Sequence, residues 1–507
     1  MNTENVFYQR RCGLQRAKKG LAYALLFALS AVIGTALFSQ STSPLYSGFG
    51  YDSAMFQTIG KYWAQGDLPY VELYDHKGPM IFLINAAGYY LAGRTGVFIL
   101  QVLNVALSEV MAFRILKGAG EKKALCLAVL LPLLLTVNWQ EGNTTEEYIL
   151  PLLFGSMYYM LRWSRKLNSG NWAHEPRWAF VYGLCFGFAL MSRVTNGLAV
   201  CLGAALISAA LAVKSRWIEL LKNIVFFLSG AAVLVLPFCL YFALHGALYE
   251  MWYGTVLYNL EYFSGSGTAA PQGFLQLLVA VRRYLTGWCL IGGGLWVLLA
   301  DKGNRLLGVF WLLISAVNTA FIYTLNDYAH YGIVLLPFFY LAVLILYTAG
   351  NKSGIIKITQ ILCLLMTAVV LLSSGLKAYK SLTEYIPPQA YEDIVDYGDD
   401  YNKLVAQIPY EDRSSFVAFN CYRSLYLEND IRPAFRFFVL QQWMIGNSQS
   451  LEEKLWDEFR QAEIKWVLSF EPEGVNADVR SALEEDYFCC ASSEHQVYRL
   501  YCLKEEQ

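Results

Sequence analysis

The stretch MIFLINAAGYYLAG, Met80–Gly93, decides the topology of the chain. It is apolar and uncharged, but its 14 residues fall short of the roughly 20 that a helix needs to cross about 30 Å of hydrocarbon. It is therefore either an interfacial or re-entrant helix, or a strained span. Lys and Arg concentrate on the cytoplasmic side of membrane proteins, and this bias separates the two readings. With the N-terminus inside and Met80–Gly93 interfacial, Lys117/Lys122/Lys123, Arg162/Arg165/Lys166, Lys214/Arg216/Lys222, Lys302/Arg305 and Lys352/Lys357 all fall inside. Counting Met80–Gly93 as a span puts every one of these groups outside. The interfacial reading is the consistent one.

Working outward from it, the apolar blocks Leu21–Phe38, Val97–Leu116, Ala124–Asn138, Tyr148–Leu161, Trp178–Met191, Gly197–Val213, Ile224–Ala243, Leu285–Ala300, Leu306–Thr324, Tyr331–Thr348 and Ile355–Ser374 predict about eleven transmembrane helices. The shorter ones need flanking aromatic or charged residues to complete a span. Of the 507 residues, 56% are apolar and only 16% charged, against about 25% charged in soluble domains. Mean hydropathy is +0.36. A net charge of −1 leaves no basic surplus, which excludes nucleic acid as a partner held by phosphate neutralisation.

The apolar blocks stop near residue 374. The chain thus divides into an all-α polytopic membrane domain, 1–374, and a small soluble α/β domain, 375–507. The topology places the long segment 39–96, the later loops 139–147 and 245–284, and the soluble domain on the extracytoplasmic side of the plasma membrane. Arg10, Arg11, Arg16, Lys18 and Lys19 precede Leu21–Phe38 in the order of a signal peptide, but that run exceeds the usual apolar region of about 7–15 residues. It reads as a retained first helix rather than a cleaved leader. Cys126, Cys185, Cys201, Cys239, Cys289 and Cys363 lie in apolar blocks as small hydrophobes. Cys421, Cys489, Cys490 and Cys502 lie in the soluble domain, where one disulfide is compatible with the spacing but adjacent Cys489 and Cys490 read as strand residues. Other strands are expected at Phe416–Phe419, Lys465–Phe470 and Gln496–Leu503. Ser450-Leu-Glu-Glu453 reads as a capping box that opens a helix with Leu451, Leu455, Phe459 and Ala462 at helical spacing.

The external segment carries Gly50-Tyr-Asp52-Ser, then Gly66-Asp67, then Tyr74-Asp75-His76-Lys77-Gly78-Pro79 just before the interfacial helix. A membrane-embedded head group meets water at that level. A carboxylate there can take a proton from an attacking hydroxyl, and a lysine or histidine can neutralise a phosphate. The alternative is a solvated loop whose charges merely avoid lipid.

These motifs resemble the GT-C superfamily of polytopic glycosyltransferases, in the branch of protein O-mannosyltransferase-like and lipid A aminoarabinose transferase-like enzymes. The matching elements are Asp52, Gly66-Asp67 and Tyr74-Asp75-His76-Lys77-Gly78-Pro79. The family often has Asp-Glu where this chain has Asp52-Ser53, and Lys-Pro-Pro where it has Lys77-Gly78-Pro79. The resemblance implies a sugar donor on polyprenyl phosphate and transfer with inversion to an acceptor hydroxyl on a glycan, lipid or protein. It makes Asp52 and Asp75 the candidate catalytic pair, with Asp52 as base or as the group that orients the acceptor. Lys77 becomes a candidate phosphate ligand and His76 a substrate contact.

The resemblance also directs attention to Trp139-Gln-Glu141-Gly-Asn-Thr-Thr-Glu146-Glu147, where Glu146 or Glu147 contacts substrate or simply favours a helix N-terminus. Asn143-Thr-Thr145 matches a glycosylation sequon. Arg193 lies against the positive-inside trend, which is costly without a partner. It is a candidate phosphate contact, or the partner of a loop acid. In Asn326-Asp327-Tyr328-Ala-His330-Tyr331, His330 is a candidate for phosphate or sugar, or a hydrogen-bonded structural histidine, and Tyr331 is a candidate for substrate. Tyr249, Trp252, Tyr253, Tyr258, Tyr262 and Phe263 offer ring faces to a sugar or prenyl chain, or form an interfacial aromatic belt. No cofactor is required. A divalent metal is possible on Asp52, Asp75 and Glu146, which offer hard oxygen ligands.

Two other classes fit the composition. A transporter or flippase for lipid-linked sugars or cell-surface polymer would place ionisable groups within the spans, whereas these spans carry chiefly Glu109. An anchor presenting a binding domain would not need eleven spans.

Overall fold

The computed structural model describes residues 3–138, 141–265, 284–324, 328–350, 356–383, 398–439, 441–446, 448–470, 477–494 and 496–504. Seven helices among them are long and apolar enough to cross a membrane: Ala17–Phe38, Arg94–Ala119, Val194–Val213, Trp217–Leu244, Arg305–Tyr323, Ala329–Thr348 and Lys357–Thr383. This is a polytopic membrane protein. Four of the eleven expected spans depart from that length. Ala124–Asn138 is broken into Glu121–Ala128 and Leu131–Leu135, because Pro132 in the first turn of the second piece has no N–H to continue the first. The others are the single helices Leu150–Ser164 (15 residues), Pro176–Leu190 (15) and Leu285–Ala300 (16). Pro151 and Pro176 stand in the first turns of the first and second, which sets their N-terminal ends.

Pro79–Ala92 forms as a separate 14-residue helix. Met80, Ile81, Phe82 and Asn85 are buried, while Leu83, Tyr90 and Leu91 are exposed, as suits a helix with one face against lipid head groups. It packs on Asp52–Gln65, where a Cβ at Gly60 would collide with Asn85. Pro176–Leu190 crosses Trp217–Leu244 just as closely. A Cβ at Gly183 would strike the Phe227 carbonyl, and one at Gly230 the Phe180 carbonyl. Small residues at a helix crossing let dispersion and packing hold membrane helices that share no hydrophobic driving force.

The final membrane helix continues past Gly375 as one element, Ile356–Thr383, and description of the soluble domain resumes with Gly398–Val405. Its four strands are β1 (Phe416–Phe419), β2 (Trp466–Phe470), β3 (Tyr487–Ser492) and β4 (Tyr498–Leu503), in spatial order β1-β2-β4-β3. β1 and β2 are parallel, and the remaining pairs antiparallel. The expected capping box is displaced by two residues. Ser448 rather than Ser450 caps the helix Gln449–Gln461, its Oγ accepting the Leu451 N–H at 3.3 Å. Leu451, Leu455 and Phe459 are buried as the spacing requires. The ten described cysteines are free.

The soluble domain is not tethered loosely. One continuous apolar core joins Met55, Phe56 and Tyr70 of the segment 39–96, Tyr258 of the aromatic loop, and Phe437 and Trp456 of the soluble domain. The Tyr74 N–H donates to the Arg436 carbonyl at 2.9 Å, and Arg436 Nη1 donates to the Tyr70 carbonyl at 3.3 Å.

Candidate active site

Asp52 opens the helix Asp52–Gln65, where an acid is favoured by the unpaired N–H groups of the first turn. Its Oδ1 accepts from Arg423 Nη1 at 2.5 Å. Burial pushes its pKa up, but the charges of Arg423, Lys77 and His330 outweigh burial and hold the carboxyl below its ordinary value. Asp52 is therefore an ionised carboxylate among cations.

The Tyr74–Pro79 turn is held rigidly. Asp75 is fully buried, and its Oδ1 accepts the Lys77 N–H at 2.8 Å. Its Oδ2 has no hydrogen-bond partner among the described residues. Burial pushes Asp75 up against the pull of Lys77. His76 packs on Trp443 and Tyr258, with ring centroids 5.0 and 5.7 Å away. Burial, then the charges of Lys77, Arg193 and Arg423, hold its pKa well below the imidazole range, so its Nε2 can accept from Lys77 Nζ at 2.6 Å. Tyr70 braces the turn by donating its hydroxyl to the Lys77 carbonyl at 2.7 Å. Its backbone is left-handed, at φ 72°, a conformation a bulky side chain keeps only when packing over-determines it. Lys77 itself has no carboxylate within ion-pair distance among the described residues, although Asp75 and Asp52 act on it electrostatically.

Across the cleft, Arg193 Nη1 meets Glu146 Oε1 at 2.7 Å, and the guanidinium lies 3.5 Å from the Tyr331 ring centroid. Of the two roles open to Arg193 from the sequence, partner of a loop acid is the one this geometry displays. Burial raises the Glu146 carboxyl, but His330 and Arg193 outweigh it and hold it low. His330 is buried, with Tyr331 edge-on at 4.6 Å and Tyr328 stacked at 5.8 Å. Asp52, Lys77, Glu146, Arg193 and His330 thus form one electrostatic cluster drawn from four separate loops.

Glu147 is not part of that cluster. Its carboxylate accepts from Gln101 Nε2 and from the Asn143 N–H, both at 3.0 Å, and anchors the second loop. Asn143 is fully buried and donates to Ser53 Oγ at 2.8 Å and Asn85 Oδ1 at 3.0 Å. The sequon is therefore closed to glycosylation, since its amide is a structural donor. Tyr258 is a core residue, whereas Tyr249 is exposed. The side chains of Tyr262 and Phe263, and residues Asn326 and Asp327, lie outside the described residues. A divalent metal on Asp52, Asp75 and Glu146 is not displayed as a site by the described residues. Among the described residues no group of three or more His, Cys, Asp or Glu could hold a metal ion, and Asp52 and Glu146 each face a guanidinium instead.

Three site residues were not singled out from the sequence. Arg423 reaches the site from the soluble domain with its guanidinium 3.2 Å from the Tyr51 ring centroid. Trp443 covers His76. Glu141 accepts the Tyr51 N–H and is pushed up to about 7 by burial. Of these only Glu141 was within reach, since it is an acid beside an apolar block in the same loop as Glu146.

Residues 76–242 match the family model of dolichyl-phosphate-mannose-protein mannosyltransferase. Among solved structures, the apo form of ArnT from Cupriavidus metallidurans aligns over 96% of this chain and 98% of its own, at 13% identity and a TM-score of 0.54. The same protein bound to undecaprenyl phosphate aligns at 12% identity and a TM-score of 0.49, over 96% and 98%. The archaeal oligosaccharyltransferase AglB from Archaeoglobus fulgidus, in complex with an inhibitory peptide and a dolichol-phosphate, aligns at 12% identity and a TM-score of 0.44, over 96% of this chain and 75% of that one. No curated protein matches at a significant level. The fold is that of the GT-C polytopic membrane glycosyltransferases. The partial family match and the likeness of fold bear out the resemblance to the protein mannosyltransferase-like and ArnT-like proteins.

Proposed function

We propose that the chain transfers a sugar from a polyprenyl-phosphate donor to an acceptor hydroxyl on the extracytoplasmic face, with Asp52 as general base. One observation carries this reading. A carboxylate kept ionised faces Lys77, a half-buried cation left without an ion pair where a lipid phosphate would lie. In the reaction the acceptor O–H proton passes to Asp52 and the acceptor oxygen bonds to the anomeric carbon. The carbon–oxygen bond to phosphate breaks, and polyprenyl phosphate departs with the electron pair. Attack opposite the leaving group inverts the anomeric centre. Lys77 neutralises the departing phosphate, and His330 lines the same site as a hydrogen-bonding group. Arg193, already engaged by Glu146, shapes the same wall. Asp75 and His76 position Lys77 rather than touch substrate, and Glu147 supports the loop. No step here needs a metal.

The side assignment rests on the positive-inside pattern, with the site loops and the soluble domain opposite the Lys/Arg clusters. A cysteine at exposed Tyr410, in a background with exposed Cys126, Cys489 and Cys490 replaced by serine, tests it: a membrane-impermeant maleimide should label it in intact cells without permeabilisation. Activity is read in proteoliposomes holding the full chain and polyprenyl-phosphate mannose, glucose or N-acetylglucosamine, as release of free polyprenyl phosphate in the presence of membrane glycan extract. Asp52→Asn should lower turnover by about 10²–10⁴, the usual range for loss of a general base, with unchanged accumulation. A variant that accumulates normally and retains wild-type turnover would overturn the assignment. Lys77→Ala should raise the donor KM.

A further inference from the structure

We propose that Arg423 is a positioning residue for Asp52, delivered by the soluble domain, so that the active site is complete only when that domain is docked. This builds on the reading of Asp52 as base. Arg423 stands 371 residues from Asp52 in sequence, in the turn between β1 and the short helix Leu425–Glu428. It is 6% exposed. A charge so deeply buried is costly unless it is paired, and here its pair is the candidate base.

The geometry is specific. Nη1 donates to Oδ1 of Asp52, while Oδ2 has no hydrogen-bond partner among the described residues and remains open to a proton. The guanidinium plane rests on Tyr51, the residue just before Asp52, so one side chain fixes both neighbours at the helix entrance. Its Nε is buried with no hydrogen-bond partner, which marks the residue as held for this contact rather than for a saturated structural network. The turn that carries it is itself fastened. Gln441 accepts the Asn420 N–H at 3.2 Å and donates to the Ala418 carbonyl at 2.9 Å. Further ties flank the pair: Arg432 to Asp67 at 2.8 Å, and Lys61 to Asp430. The domain therefore presents Arg423 from a fixed base.

Two consequences follow for the base. Its carboxylate is aimed, since an aspartate at a helix entrance otherwise turns toward the free N–H groups of its own first turn. Its charge is also maintained. The charged and titratable groups that face Asp52 are Arg423, Lys77, His330, Asp75 and Glu141. Removing Arg423 takes away the largest charge that holds Asp52 low against burial, so Asp52 should titrate higher.

The test uses the full chain in the proteoliposome assay above, with the polyprenyl-phosphate sugar that gives the highest release. Arg423→Ala should lower kcat by about 100-fold, comparable to loss of one aimed donor, with donor KM nearly unchanged. The acid limb of its kcat/KM profile should move up by about one pH unit or more. Arg423→Lys keeps the charge but not the fork, and should shift the limb less and recover part of kcat. If Arg423→Ala fails to accumulate, the lysine variant carries the test through its limb and its kcat. An unmoved acid limb, or a loss confined to donor KM, overturns the proposal. Asp52→Asn in the same assay separates the two claims. Full activity there sinks the base itself, whereas an inactive Asp52→Asn beside an unshifted Arg423→Ala sinks only the role of Arg423.

Discussion

Glu141 lies in a loop yet is almost wholly buried, and its carboxyl is pushed up to about 7 from an ordinary 4.5. Burial is the main cause. The Tyr51 N–H works against it, Asp52 adds to it, and Arg423 opposes it. The sign of the pH effect follows from linkage. A group whose folded pKa exceeds its unfolded one binds a proton on folding, so its stabilising contribution is complete below about 4.5 and is lost as pH rises through about 7. Glu141→Gln stays neutral and keeps an oxygen for the Tyr51 N–H. It should match the wild type at pH near 4.5 and exceed it above pH 7.5 by roughly 1–3 kcal/mol. Thermal unfolding of detergent-purified protein at the two pH values measures this, and a variant less stable at the higher pH would refute it. At this scale the sequence was readable where a motif is contiguous. Asp52, Lys77 and the Asp75-His76 pair stand out because they crowd one apolar helix. Arg423 and Trp443 do not, because nothing in their local sequence distinguishes a turn residue that faces solvent from one that meets a partner hundreds of residues away.

Gly78 joins two elements that the sequence leaves far apart. Its N–H donates to the Ser192 carbonyl at 2.9 Å, and the Met80 N–H donates to the Met191 carbonyl at 2.8 Å. This couples the turn bearing Lys77 to the turn bearing Arg193. A Cβ at Gly78 would overlap the Met191 carbonyl group and lie 2.7 Å from Ser192 N, which gives a physical reason for glycine at this position. Its φ of −70° is open to any residue, so the constraint is the close approach alone. Gly78→Ala should cost about 1–3 kcal/mol, as overpacking does, and raise the donor KM more than it lowers kcat, because it shifts Lys77 against Arg193. An unchanged melting temperature and donor KM would remove this coupling. Elements were legible in proportion to their own chemistry. Apolar runs announce membrane helices, and β1 was placed to the residue. Breaks were harder. Pro132 interrupts an apolar run that composition alone reads as continuous. Ser448 and Ser450 both suit an N-cap, and only the position of the Leu451 N–H chooses between them.

For the molecule as a whole, the question is whether the soluble domain stays docked during the proposed transfer. Its core is continuous with the external segment and the aromatic loop, so lifting it off would expose Tyr74, Tyr258 and Phe437, all buried now. Each large side chain of this kind costs about 1.5–3 kcal/mol to return to water. A single exposed ion pair such as Lys61–Asp430, with Asp430 85% exposed, contributes little by comparison. It does mark a place where the domains can be joined without touching the cluster. Docking was hidden from the sequence for a physical reason: it is made by contacts between separate segments, each of which also reads as an ordinary loop or strand edge. Cysteines at Lys61 and Asp430, in a background with the exposed Cys126, Cys489 and Cys490 replaced by serine, can be joined by a short bismaleimide and the cross-link verified by mass spectrometry. If the domain remains seated throughout the cycle, the joined protein should keep most of the polyprenyl phosphate release of its unjoined parent. Release that collapses on joining, and returns when a cleavable linker is cut, would show instead that the domain must open for acceptor or donor to enter.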